Sequence, residues 1–385
     1  CVLFTLAPVS IYYSTEVRMY SMLWVFSMAT ALATLRLHRA GFGAFTYAAW
    51  VLCAAAGIHT HYFFVFVLAA CLACAFVFPC RLARPWVVLG GAWVSLGSLP
   101  GFLRLPASLA QGRVTGDWLN GFPGWKAIPK ACAMQAWSFV SGWGHWGYSR
   151  WGAWLAAAAI GGVLIVLAWN FLLRVRPPSH VLLGLWLLAA CTGPAVFDAL
   201  RGTCTSWIPR YALAGMPAAF LLVAVGLGYV RLWGRIAAIV LLALAWAPNI
   251  AAIVRSHSRG SEPYRRVAEC IRQRGQPGDL VIVHSIPSGV LGVARYVSPD
   301  TPIASWVGQL RRRRAPQDIE SFVAGRPGVV LVKIHEVGEP APEEAWLREN
   351  ARLVSEARKE TAHLLFFAPP AGDRFAAPAA AGSSE

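Results

Sequence analysis

The chain of 385 residues is 57% hydrophobic and 14% charged, with a mean hydropathy of +0.52, which excludes an ordinary soluble domain and predicts a bilayer protein. Its formal charge of +16 does not point to nucleic acid: the arginines stand in short clusters between apolar runs, where they act as topology signals and headgroup contacts, and no nucleic-acid reading motif accompanies them. Among the 18 Asp and Glu residues only Glu16, Asp117 and Asp198 precede residue 255, so two regions suited to different solvents follow one another.

The chain opens at Cys1 inside an apolar run that ends near Pro8, which reads as the tail of an earlier span, with an N-terminal portion expected upstream. Apolar segments of bilayer-spanning length follow at about 17–37, 44–60, 61–79, 85–102, 151–173, 180–198, 212–230 and 235–254. Arg36/Arg39, Arg81/Arg84, Arg174/Arg176 and Arg231/Arg235 fall in alternate linkers, which the excess of basic residues assigns to the cytoplasm. The opposite side then receives Ser10–Glu16, the His59–His61 turn, a loop at 103–150, residues 199–210 and everything after 254. Cys71 and Cys74 form a C-x-x-C without a second pair and read as small core residues. Cys132, Cys204 and Cys270 fall on the oxidising side, where a disulfide among them is open.

After residue 254 the pattern becomes soluble α/β. A helical YRRVAECIRQRG leads to an apolar strand DLVIVHS, a helix near GVLGVARYV and a strand-like RPGVVLVKI, followed by AWLRENA and LLFFAP. The last residues, PPAGDRFAAPAAAGSSE, have the composition of a disordered tail. The expected organisation is a membrane region at 1–254, an extracytoplasmic α/β domain at 255–368 and a tail at 369–385.

Several groups stand out chemically. In SIYYSTEVRMYSM, Glu16 and Arg18 sit at the start of a span, and a helix reaching back far enough puts Tyr13, Glu16 and Tyr20 on one face. An ionisable residue at that depth needs a wet cavity or a partner; a helix-capping ion pair with interfacial tyrosines is the alternative. His59 and His61 in GIHTHYFF flank an outer turn, where phosphate binding, donation to an acceptor, metal ligation or a plain interfacial role are all open. Trp118, Trp125, Trp137, Trp143, Trp146, Trp151 and Trp154 make seven of the 18 tryptophans and suggest an amphipathic helix on the outer leaflet, with Asp117 and Trp118 as candidates for substrate contact. Asp198 and Arg201, at i and i+3 in FDALRG, suit a local ion pair, with a lipid-phosphate contact for Arg201 as the sharper reading. The run Arg311–Arg314 suits a solvated face or anionic headgroups.

The segment YYSTEVRMYSM resembles the E-x-R-x-Y segment of polyprenyl-phosphate-dependent glycosyltransferases of the C-type fold, the superfamily of protein O-mannosyltransferases and the aminoarabinose lipid A transferase. A second segment, WIPRYALAGMPAAFLL, is similar to the R-Y…P pattern of that group through Arg210, Tyr211 and Pro217. The resemblance implies an α-helical polytopic protein of the bacterial inner membrane with a small extracytoplasmic α/β domain. It implies inverting transfer of a sugar from a polyprenyl-phosphate donor to a lipid, glycan or protein acceptor, with no obligatory metal or other cofactor, although a divalent metal is left open. Glu16 then becomes an accessory acid, the principal aspartate being expected upstream. Arg18, Tyr20, His59, His61, Arg201, Arg210 and Tyr211 become substrate or phosphate contacts, since guanidinium geometry suits phosphate. The alternatives from other classes are a transporter or flippase for lipid-linked sugars, which would show two related halves with broken spans, and a non-catalytic membrane scaffold.

Overall fold

The computed structural model describes residues 2–15, 19–78, 83–99, 101, 103, 121, 124–141, 150–173, 177–259, 263–306, 316, 318–334, 341–359, 361–369 and 375. These residues fall into two compact units, one ending at Ser256 and the other beginning at His257.

The first unit is helical. Its elements are α1 (Val2–Leu6), α2 (Pro8–Thr15), α3 (Tyr20–Ala40), α4 (Ala44–Thr60), α5 (Phe64–Val77), α6 (Ala83–Gly97), α7 (Ile128–Ser141), α8 (Arg150–Leu173), α9 (Pro178–Arg201), α10 (Met216–Tyr229) and α11 (Leu232–Arg259). Among the described residues, three helices are long and apolar enough to cross a membrane, Tyr20–Ala40, Pro178–Arg201 and Leu232–Arg255, while five shorter apolar stretches have between 10 and 17 residues. The shortfall has local causes. The segment expected at 61–79 becomes helical only at Phe64, because His61–Phe63 form the turn out of α4, and the segment expected at 212–230 becomes α-helical only at Met216.

Helix α9 is the hub, packed against α5, α7 and α10, while α3 lies on α4 and α5. The stretch 103–150, expected as an outer loop with a helix on the membrane surface, contains α7, and this helix is packed inside the unit. Ala131, Gln135, Ser138 and Phe139 on it are all buried, a spacing of three to four residues that makes one helical face. Of the tryptophans expected to mark that surface, Trp125 and Trp154 are exposed, whereas Trp118, Trp143 and Trp146 lie outside the described residues. Cys71 and Cys74 are buried core thiols, and Cys132, Cys204 and Cys270 are free thiols.

The second unit carries α12 (Tyr264–Arg274), β1 (Leu280–His284), α13 (Pro287–Tyr296), β2 (Ile303–Ala304), α14 (Ile319–Val323), β3 (Val329–Ile334), α15 (Pro342–Asn350), β4 (Arg352–Lys359) and β5 (Ala362–Ala368). The sheet order is β2-β1-β3-β5-β4, with β2, β1 and β3 parallel and β5 antiparallel to both its neighbours. Strand β1 shows why its sequence is a continuous apolar run: Val281 and Val283 face a core with Val267, Ile271 and Val293, while Leu280 and Ile282 face another with Ile319, Val323 and Leu347. A parallel strand covered on both faces has no polar side. Phe375, inside the stretch expected as a tail, is buried in the second of these cores and exchanges backbone hydrogen bonds with Gly325 and Arg326. The charge run Arg311–Arg314 lies outside the described residues.

Two carboxylates tie this unit together in opposite electrostatic senses. Asp279 Oδ2 accepts from the Gln276 N–H at 2.7 Å, yet burial pushes its carboxyl up against that bond. Burial acts the same way on Glu344, but Lys333 Nζ at 2.9 Å and Arg348 Nη2 at 2.8 Å outweigh it and hold the carboxyl down. Next to this group, His284 Nδ1 and Glu343 Oε2 meet at 3.0 Å in the interior and tie the end of β1 to α15.

Candidate functional site

The site begins at the turn between α4 and α5. Gly57 makes the turn possible: a Cβ there would lie 2.4 Å from the ring of Phe64, so only glycine lets the two helices close. The His61 N–H donates to the Gly57 carbonyl at 3.0 Å, and His61 Nδ1 accepts from the Phe63 N–H at 3.2 Å. An accepting Nδ1 places the ring proton on Nε2. The two histidines of this turn therefore differ: His61 is folded into the turn, and His59 is exposed on the last turn of α4. Among the described residues no three His, Cys, Asp or Glu side chains gather to hold a metal.

From His61 a series of ring contacts runs through the expected residues. Its ring centroid is 6.3 Å from Tyr20, which lies 5.0 Å from Tyr13, and both tyrosines are buried. On the other side His61 is 5.7 Å from Phe63, and Phe63 in turn reaches Tyr211 at 5.7 Å and Phe197 at 6.0 Å. Each of these last two rings carries an arginine: the Arg210 guanidinium lies 5.0 Å from the Tyr211 centroid and the Arg201 guanidinium 5.3 Å from that of Phe197. Arg210 Nη2 also donates to the Tyr211 hydroxyl at 3.2 Å. Two cations from different chain segments thus rest on one half-buried aromatic platform centred on Phe63. A ring beside a guanidinium orients the planar group through its π face.

Arg210 and Tyr211 belong to a stretch, 202–215, that is not α-helical although it follows a 24-residue helix. It consists of 3₁₀ turns at Thr205–Trp207, Pro209–Tyr211 and Leu213–Gly215. Helix α9 ends at Gly202, whose φ of 70° requires glycine. Backbone groups without a helical partner in an apolar interior need other partners, and side chains supply them. Gln135 Nε2 donates to the carbonyls of Ser206 and Ile208, Trp24 Nε1 to Leu213 at 3.0 Å and Trp186 Nε1 to Ala214 at 2.7 Å. The Asp198 carboxylate accepts from the Thr203 hydroxyl at 2.6 Å, the Thr205 hydroxyl at 2.5 Å and the Ser206 N–H at 2.6 Å.

The expected ion pair between Asp198 and Arg201 is therefore not formed. Asp198 turns inward to the 203–206 turn, and Arg201 turns to the Phe197 ring. Of the expected contacts, Tyr20, His61, Arg201, Arg210 and Tyr211 come together and His59 stays apart. Glu16, Arg18, Asp117 and Trp118 lie outside the described residues. Phe63, Gln135, Trp24 and Trp186 were not singled out by the sequence. Gln135 left a signal, a lone amide in the apolar run of α7, which calls for a buried partner; Phe63 left none among so many aromatics. No protein-family model matches this chain, and no curated protein matches it either.

Proposed function

We propose that this chain is a membrane glycosyltransferase that moves a sugar from a polyprenyl-phosphate carrier to a lipid, glycan or protein acceptor outside the cytoplasm. The observation that carries the reading is the pair of arginines on the Phe63 platform, because departure of a phosphate from the anomeric carbon needs cations where negative charge develops. In this reading the acceptor oxygen bonds to that carbon, the bond to the phosphate oxygen breaks, and the carrier phosphate leaves with the electron pair toward Arg201 and Arg210. The acceptor proton passes to a carboxylate, with Glu16 as an accessory acid. His61, holding its proton on Nε2, is a donor to the acceptor or the phosphate. The apolar helices are read as a multi-pass bundle in the bacterial inner membrane, with the unit beginning at His257 outside.

Mass spectrometry of lipid-linked sugars and envelope glycans, with and without the gene, tests the reading. Loss of one glycan modification together with accumulation of its lipid-linked sugar is the expected result; unchanged profiles sink it. Arg210→Gln is expected to slow transfer by about a hundredfold, and Glu16→Gln to abolish it with expression and membrane insertion intact.

A further inference from the structure

Resting on that phosphate-site reading, we propose that Asp198 is a positioning residue whose buried carboxylate sets the spacing between Arg201 and Arg210. Asp198 is 0% exposed, and no cation among the described residues pairs with it. Its three donors are two hydroxyls and one backbone N–H. Interring a carboxylate on such terms is costly, and an apolar group of similar shape usually serves stability as well or better. Helix stability does not explain the residue either. It sits three positions before the end of α9, where the helix dipole disfavours negative charge.

What Asp198 joins is informative. Its helix carries Phe197 and Arg201, and its carboxylate grips Thr203, Thr205 and Ser206, which lead into Arg210 and Tyr211. Ser206 is held from both sides, by Asp198 at its N–H and by Gln135 at its carbonyl. The carboxylate is thus the link between the two chain segments that bring an arginine to the Phe63 platform. The charge of two guanidinium groups distinguishes a phosphate from an uncharged head of the same lipid, and a fixed separation between them lets both act on one phosphate.

The test uses the full chain in neutral detergent and two probes of equal chain length, a polyprenyl monophosphate and the uncharged polyprenol, each titrated by tryptophan fluorescence. Asp198→Asn removes the charge and leaves one acceptor oxygen where three donors met two, and Thr205→Val removes one hydroxyl with little change of volume. Both are expected to weaken binding of the phosphate about tenfold and to leave the alcohol unaffected, with Thr205→Ser restoring the wild-type ratio. A lowered melting temperature with an unchanged phosphate-to-alcohol ratio would mean a structural role only and overturns the proposal. Should Asp198→Asn not fold, Thr203→Val and Thr205→Val decide the matter by the same ratio. If Arg201→Gln and Arg210→Gln weaken phosphate binding while the Asp198 and threonine variants do not, the positioning role alone falls. If the wild-type chain does not prefer the phosphate, or the arginine variants bind it normally, the function proposed above falls and this inference with it.

Discussion

An aromatic ring beside an arginine orients the guanidinium through the negative face of its π system. Phe63 is the residue on which this depends, since both arginine-bearing rings pack against it. Replacing Phe63 by Leu keeps an apolar side chain but removes both ring contacts, and polyprenyl-phosphate affinity should fall about fivefold in the same fluorescence titration. In the second unit, Asp279 gives a sharper test because its carboxyl is raised by burial. A raised carboxyl favours the neutral form, so its contribution to stability is complete below the unfolded value and is lost as pH rises through the folded one. Asp279→Asn keeps an acceptor for the Gln276 N–H and has no charge to bury. Hydrogen exchange across 277–285 should be slower in this variant at pH 7 by about 1 kcal/mol, and the advantage should vanish in acid.

At the scale of elements, most long helices and two strands were legible because burial writes a period into the sequence. The apolar runs located most helices of the first unit, and DLVIVHS and RPGVVLVKI located β1 and β3. What escaped was decided by tertiary partners. The run from Ala212 reads as a continuous apolar span, yet its first residues are 3₁₀ because Trp24 and Trp186 take their carbonyls. Strand β4 escaped because RLVSEARK is an edge strand with mostly exposed residues, and its charged composition reads equally well as helix. The Asp198–Arg201 spacing suggested a pair, and only the fold could show that a turn competes for the carboxylate. The tight turn between α4 and α5 yields its own prediction: Gly57→Ala places a methyl against Phe64 and should cost about 2 kcal/mol, seen as a lower melting temperature in detergent. In the second unit, Glu344 clamps α15 to β3 through Lys333, with Arg348 on its own helix completing the group. Its carboxyl is lowered, so that clamp stabilises above the unfolded value and fails as pH drops through the folded one. Glu344→Gln should cost about 1 kcal/mol at pH 7 and converge with wild type in acid, as read by hydrogen exchange in β3.

At the scale of the whole molecule, the sequence divides into an acid-poor apolar part and an acid-rich part, and the fold has two units of different kind. The proposed arrangement across the membrane makes a prediction that requires no substrate. Leu291 is 71% exposed on α13, and Leu291→Cys should react with a membrane-impermeant maleimide applied outside cells whose cytoplasmic membrane is intact and accessible. Arg231→Cys, in the basic linker between α10 and α11, should react only after that membrane is permeabilised. Reversal of the two patterns would place the second unit in the cytoplasm and remove the proposed side of the reaction.

The two indoles that hold the start of α10 have a mechanical consequence. Trp24 comes from α3 and Trp186 from α9, and they grip adjacent carbonyls, those of Leu213 and Ala214. Sliding α10 along its own axis would stretch both bonds at once, whereas a swing about Leu213 and Ala214 would leave them intact. That end of the helix is a pivot, and any tilt of α10 would grow from there toward Tyr229.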